Sequence, residues 1–368
     1  MGVPRNLSSF VLGGVCLAGF ATLAVLAPLA TYSVTLAVFG LPHVLSELRY
    51  IDRRFGRRLD KRFLLPIAVL LSMIVAVRAS VVFHIVPLRL GLPAELFGVA
   101  ALALVCARGP NSRKGLALLI SGVIGGATAL APYATVATLS ILHNLTPLGF
   151  LWQIAPPARR RRVMFVAALA FLGLPLLVAT GWPAAALHQL LGFAREFDPL
   201  HAGPLDDQLF VYVPPSLIDA SQAVDLFTAS VVAQGAHYAT VIVLLPMLLA
   251  RRDPRARGLV DWPANNLFAS VCAFAAILSV IRYLDRFADA RALYGVAASA
   301  HVWIEIPVLI LALTGAAQPS IQTPARKDPE LAINEMIIAR STRSPVIQAM
   351  RQASTSTTAA SSAMIDGQ

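Results

Sequence analysis

The sequence predicts an all-α fold: a polytopic transmembrane helix bundle of about ten spans, followed by a disordered C-terminal tail. Three observations predict it. Of 368 residues, 57% are hydrophobic and only 13% charged, where a soluble domain carries about a quarter charged. The apolar residues fall in runs close to the 20 or so that a spanning helix needs. The 30 Lys and Arg gather in short clusters between those runs, the pattern of a chain oriented by positive charge on its cytoplasmic side. This composition excludes a soluble globular enzyme. It also excludes a nucleic-acid-binding domain of the usual kind, despite a formal charge of +11. The expected partner is the lipid bilayer, and no nucleic acid. Cys16, Cys106 and Cys272 form no CxxC and no disulfide framework.

In chain order, the runs predict spans over 9–29, 31–48, 63–80, 90–107, 115–131, 133–154, 163–181, 225–250, 263–283 and 292–314. The first follows a single charge, Arg5, is too long for a signal-peptide core and lacks an A-x-A site, so it reads as a retained helix. The second is short and contains Pro42. Basic clusters follow every even span: Arg49 to Arg62, Arg108 to Lys114, Arg159 to Arg162, Arg251 to Arg257, and Arg326 with Lys327. The longest odd loop, 182–224, instead carries Glu196, Asp198, Asp206, Asp207 and Asp219 against Arg195. The alternation predicts a multi-pass integral membrane protein with both termini cytoplasmic. Gly122 and Gly126 form a GxxxG that would allow close helix packing. Residues 1–315 form the transmembrane helical domain. Residues 316–368, with QASTSTTAASSA at 352–363, read as a cytoplasmic low-complexity tail too polar to build a core.

Seven histidines are present. His84, His188 and His201 fall in outer loops, whereas His43, His143, His237 and His301 fall inside even spans, whose helices all run the same way. At 1.5 Å per residue, each lies roughly 13–18 Å below its outer end, near the midplane of a hydrocarbon core about 30 Å thick. Ionisable groups at that depth are costly and mark an interior site. Glu47 and Glu305 follow His43 and His301 by four residues, on the same helix face. Each could ligate a metal or accept an imidazole N–H. Pro147 removes the donor for the His143 carbonyl and Pro307 the donor for that of Trp303, so broken helices are expected beside a buried site. Glu95 and Asp225 read as interfacial. Trp152, Trp182 and Trp262 read as belt anchors, and Trp303 as a deeper, cavity-lining residue.

Imidazoles with carboxylates suit a non-haem iron site, so His43, His143, His237, His301, Glu47 and Glu305 are the candidate metal ligands. Haem, which needs only two axial His, and plain packing of buried His remain open on these residues. The histidine boxes of membrane desaturases (HxxxH, HxxHH) are absent, as are nucleotide and nucleophile-elbow motifs in a suitable context.

Gly40-Leu41-Pro42-His43, with Glu47 four residues on, resembles the GLPHGALD motif of the Brp/Blh family of bacterial and archaeal membrane β-carotene cleavage enzymes. Ala300-His301-Val302-Trp303-Ile304-Glu305 resembles that family's late PHxxxxD segment. Leu142-His143-Asn144 and Ala236-His237-Tyr238 stand for its two middle histidine segments. In the third segment, an HxxxH in the family, Val241 stands at the second His position, and Glu47 replaces an Asp. The resemblance implies Fe(II) held by histidines and O2 as co-substrate. It also implies an apolar small-molecule polyene taken from the lipid phase, β-carotene split to retinal, and a bacterial inner membrane. On that reading the chain is an iron-dependent carotenoid dioxygenase. Two other expectations stand beside it: a polytopic transporter with an intramembrane His/Glu proton or cation relay, and a structural or assembly membrane protein.

Overall fold

The computed structural model describes residues 5–58, 61–108, 111–192 and 196–313, and the tail expected over 316–368 lies outside them. All regular structure among these residues is helical. Eight helices are long and apolar enough to cross a membrane, and shorter apolar helices at Leu12–Leu26 and Lys114–Leu130 occupy the places of the first and fifth expected spans. The order is α1 (Arg5–Leu26), α2 (Pro28–Phe55), α3 (Lys61–Val82), α4 (Leu88–Val105), α5 (Asn111–Leu130), α6 (Pro132–His143), α7 (Thr146–Ile154), α8 (Arg160–Ala168) and α9 (Leu174–Ala179). Then come α10 (Trp182–Leu191), α11 (Leu205–Leu209), α12 (Ala223–Ala239), α13 (Leu245–Arg252), α14 (Asn265–Asp285) and α15 (Phe287–Leu313).

Proline explains most helix boundaries. Pro28 and Pro132 open α2 and α6 in the first turn, where the missing N–H would have had no partner. The helix of the sixth span breaks between α6 and α7, as Pro147 predicts. The Thr146 hydroxyl lies 2.7 Å from the His143 carbonyl that the proline leaves without its usual donor. Two spans instead carry a π-helical turn, at Leu169–Gly173 and Thr240–Leu244. Each precedes a proline, Pro175 or Pro246, which withholds the N–H from the carbonyl of Phe171 or Ile242. No break occurs at Pro307 or Pro42, since α15 and α2 run on through them. The second span, expected to be short, is a 28-residue helix. Its last turns carry Arg53 and Arg54, cations placed where the helix dipole favours them.

Burial sorts the helices. Large apolar side chains on α3 and α14, among them Leu65, Met73, Phe274 and Ile277, stay exposed. So broad an apolar surface is a liability in water and is compatible with an integral membrane protein. The helices α2, α4, α12 and α15 supply most of the interior. The acidic segment 182–224, read as a loop, contains α10 and α11. Its Ala184, Leu205, Leu209 and Val213 are buried in one core with Leu29, Tyr32 and Phe227, at the end where α2 and α12 begin. The Asp198 carboxylate accepts the Ala202 and Gly203 N–H groups at 2.9 and 3.0 Å. That turn contains His201 and Gly203 at φ +54° and +92°.

The GxxxG expectation is corrected. A Cβ on Gly122 or Gly126 would meet nothing. Close approach occurs elsewhere: a Cβ on Gly235 of α12 would run into the Phe20 ring of α1, and one on Gly149 of α7 would meet Leu309 of α15 at 2.6 Å.

Candidate metal centre

Counted from the starts of α2, α6, α12 and α15, His43, His143, His237 and His301 lie 15, 11, 14 and 14 residues in. The four imidazoles meet. Ring centroids are 4.8 Å apart for His43–His301, 5.5 Å for His43–His237, 4.6 Å for His143–His237 and 5.0 Å for His143–His301. His43, His237 and His301 are all but inaccessible, and so are Glu47 and Glu305. The six residues singled out in the sequence thus form one cluster inside the bundle.

The hydrogen bonds fix how the rings can act. His43 Nδ1 lies 3.2 Å from the Phe39 carbonyl. Donation there makes Nε2 the acceptor of the 3.0 Å hydrogen bond from His301 Nε2, inside the cluster. His143 Nδ1 donates to Glu305 Oε2 at 2.6 Å, which likewise turns its Nε2 inward as a lone pair. Support of one ring nitrogen by a carbonyl or carboxylate is the usual arrangement of a metal-bound His. The Thr146 hydroxyl lies 2.6 Å from the other Glu305 oxygen, so both oxygens of that carboxylate are engaged.

Glu47 differs. Its Oε2 lies 3.4 Å from His237 Nε2, without hydrogen-bond geometry. Both Glu47 oxygens, both His237 nitrogens and His301 Nδ1 are buried with no hydrogen-bond partner. Buried polar atoms are nearly always paired, and a carboxylate without compensation in a dry interior is costly. Three ligand atoms from His43, His143 and His237 lie within 4.8 Å of one another, near enough to hold one metal ion. These three residues therefore fit a cation held by imidazole nitrogens, with the buried Glu47 carboxylate beside them. The structure also separates the carboxylates: Glu305 is the hydrogen-bond partner of His143, and Glu47 lies beside His237, 3.4 Å from its Nε2.

A cavity of about 610 Å³ leads to His43, His143 and His301. Tyr32, Tyr212, Tyr238, Tyr294 and Trp303 supply its aromatic walls, and Arg78 and Arg291 also line it. Tyr32 and Arg291 lie near the starts of α2 and α15, so the cavity runs from that end of the bundle inward. Arg291 donates to Gln208 of α11, which ties the 182–224 segment to the cavity. Beyond Glu47 and Glu305 the interior closes. Phe150, Leu151, Val241, Leu245 and Val308 pack there with almost no exposure.

Two residues escaped sequence reasoning. Glu95 is not interfacial. It is 2% exposed, and one oxygen accepts from Arg78 at 2.7 Å and from Trp303 Nε1 at 2.9 Å. Its position five residues inside a span was the available signal, since an intramembrane carboxylate points to an interior role. Thr146 carried no such signal. Trp303 lines the cavity, as expected. His84 and His201 sit in turns at positive φ and His188 on α10, outside the cluster. Comparison with protein-family models, curated proteins and solved structures found no match to this chain.

Proposed function

We propose that the chain is a membrane-embedded non-haem iron oxygenase acting on an apolar polyene from the lipid phase, cleaving β-carotene to retinal with O2 as co-substrate. The observation that carries this reading is the buried group of His43, His143 and His237, whose ligand atoms lie within 4.8 Å of one another, with the Glu47 carboxylate 3.4 Å from His237. Nitrogen with carboxylate oxygen is a donor set that suits Fe(II). When bound, the iron supplies the redox chemistry towards O2. His43, His143, His237, His301 and Glu47 would hold it. Glu305 keeps the proton of His143 on Nδ1, and Thr146 holds Glu305. The tyrosine and tryptophan walls orient an extended conjugated chain, and the layer around Val241 and Leu245 keeps water out from the far side. The cavity mouth opens near the acidic segment 182–224, and the arginine-rich ends lie opposite. Charge asymmetry therefore supports cytoplasmic termini, and the bacterial inner membrane follows from the family resemblance.

The relay transporter draws on the same buried His and Glu. The cavity's aromatic walls favour an apolar substrate over a transported ion. The test is co-expression in a β-carotene-producing bacterium. Loss of orange colour with appearance of retinal is expected, and His237→Ala should keep the colour. Persistent colour with iron-loaded wild-type protein in the membrane would overturn the reading.

A further inference from the structure

Five arginines converge on a basin at the end of the bundle where α2 and α13 finish. The basin holds about 280 Å³ and is lined by Arg53, Arg54, Arg57, Arg255 and Arg257, with Asp253 as its one carboxylate. The arginines come from two segments far apart in the chain. Asp52 holds the segments together, accepting the Leu259 and Val260 N–H groups at 2.8 and 3.1 Å and Trp262 Nε1 at 2.9 Å. Those bonds engage its oxygens with the chain after α13.

Three of the guanidinium groups are held by their inner nitrogen. Arg53 Nε donates to the Ala256 carbonyl at 3.1 Å, Arg57 Nε to the Gly258 carbonyl at 2.8 Å, and Arg54 Nε to Gln153 Oε1 at 3.1 Å. Tethering through Nε sets the direction of each planar fork. Arg54 is 3% exposed, so this charge is held inside the basin wall. Topology accounts for basic residues at this end. It does not account for five of them lining one concavity, where like charges repel.

We propose that this basin binds a phosphate-bearing anion, the headgroup of an anionic phospholipid or free phosphate. Arg forks match phosphate oxygens two at a time, and basic pockets between spans at the headgroup level are suited to lipid phosphates. The inference is independent of the iron reading, because the basin lies past the closed layer on the side away from the histidines.

The test uses the full chain in mild detergent. Native mass spectrometry would follow binding of phosphatidylglycerol, with phosphatidylcholine as the neutral comparison, with and without inorganic phosphate. Phosphatidylglycerol should bind in preference. R255Q/R257Q, which changes two exposed side chains, should weaken it on the order of tenfold or more, because each basic residue near a headgroup adds about 1 kcal/mol. R159Q/R161Q, a basic pair outside the basin, should bind as wild type does. Displacement of the lipid by inorganic phosphate would assign the site to free phosphate, and retention would assign it to the lipid. Equal binding by R255Q/R257Q and wild type would overturn the proposal. So would an equal loss in R159Q/R161Q, which would show diffuse attraction.

Discussion

Two carboxylates four residues from a histidine looked equivalent in the sequence, yet their surroundings give them different work. On the proposed reading, Glu47→Gln should lose bound metal as severely as His43→Ala, His143→Ala, His237→Ala or His301→Ala, because Glu47 is fully buried beside His237 and would supply the anionic ligand. Glu305→Gln should be milder, about 10–100-fold in metal affinity, the usual cost of losing the group that supports a metal-bound His. Metal analysis of the purified variants checks the order, and equal losses for the two Glu variants would refute it. His188→Ala, His84→Asn and His201→Asn, on residues away from the cluster, should keep full metal; Asn suits the positive φ of the latter two. Glu95→Gln should lower stability by about 1–3 kcal/mol, because Arg78 and Trp303 lose a charged acceptor. Thermal unfolding in detergent measures that loss.

Helix depth was legible in the sequence because rise per residue is constant, so counting from a span's start places each imidazole in one layer. Lateral position was not. It depends on which helices neighbour one another, and that is set by side-chain contacts far apart in the chain. The Val241 position shows the difference. Set against the resembling family it looked like a missing ligand, but Val241 lies in the π-helical turn and packs in the apolar layer with Leu245 and Val308. On the proposed reading, Glu47 from α2 takes the place of the missing donor. Small-residue motifs misled in the same way, since a GxxxG spacing says which faces could approach but not which do. Gly235→Val should therefore disturb the α1–α12 contact and cost about 1–3 kcal/mol, the usual price of overpacking. Gly122→Ala and Gly126→Ala should leave the melting temperature unchanged. A reversed ranking would mean that α1 does not seat against Gly235.

The distribution of charge over the whole chain makes a prediction of its own. Reporter fusions at Arg57, Arg160 and Arg255 should report the cytoplasm, and a fusion at Asp206 the opposite face. A cytoplasmic result at Asp206 would put the cavity mouth on the cytoplasmic side. All-α architecture and approximate span positions could be read from hydropathy, because the bilayer imposes helix length. The helices inside 182–224 could not, because they are short and seated by packing against Leu29, Tyr32 and Phe227. The proposed metal centre, finally, is spread across the chain in a way that sets a timetable. Its first donors, His43 and Glu47, are on α2 and its last, His301, with the supporting Glu305, is on α15. Helices enter the bilayer singly and associate afterwards. Until α15 leaves the ribosome, the early donors stand in the membrane without their partners. On the proposed reading, metal loading is a late event of biogenesis, and a chain stopped after α14 should reach the membrane yet never hold the ion.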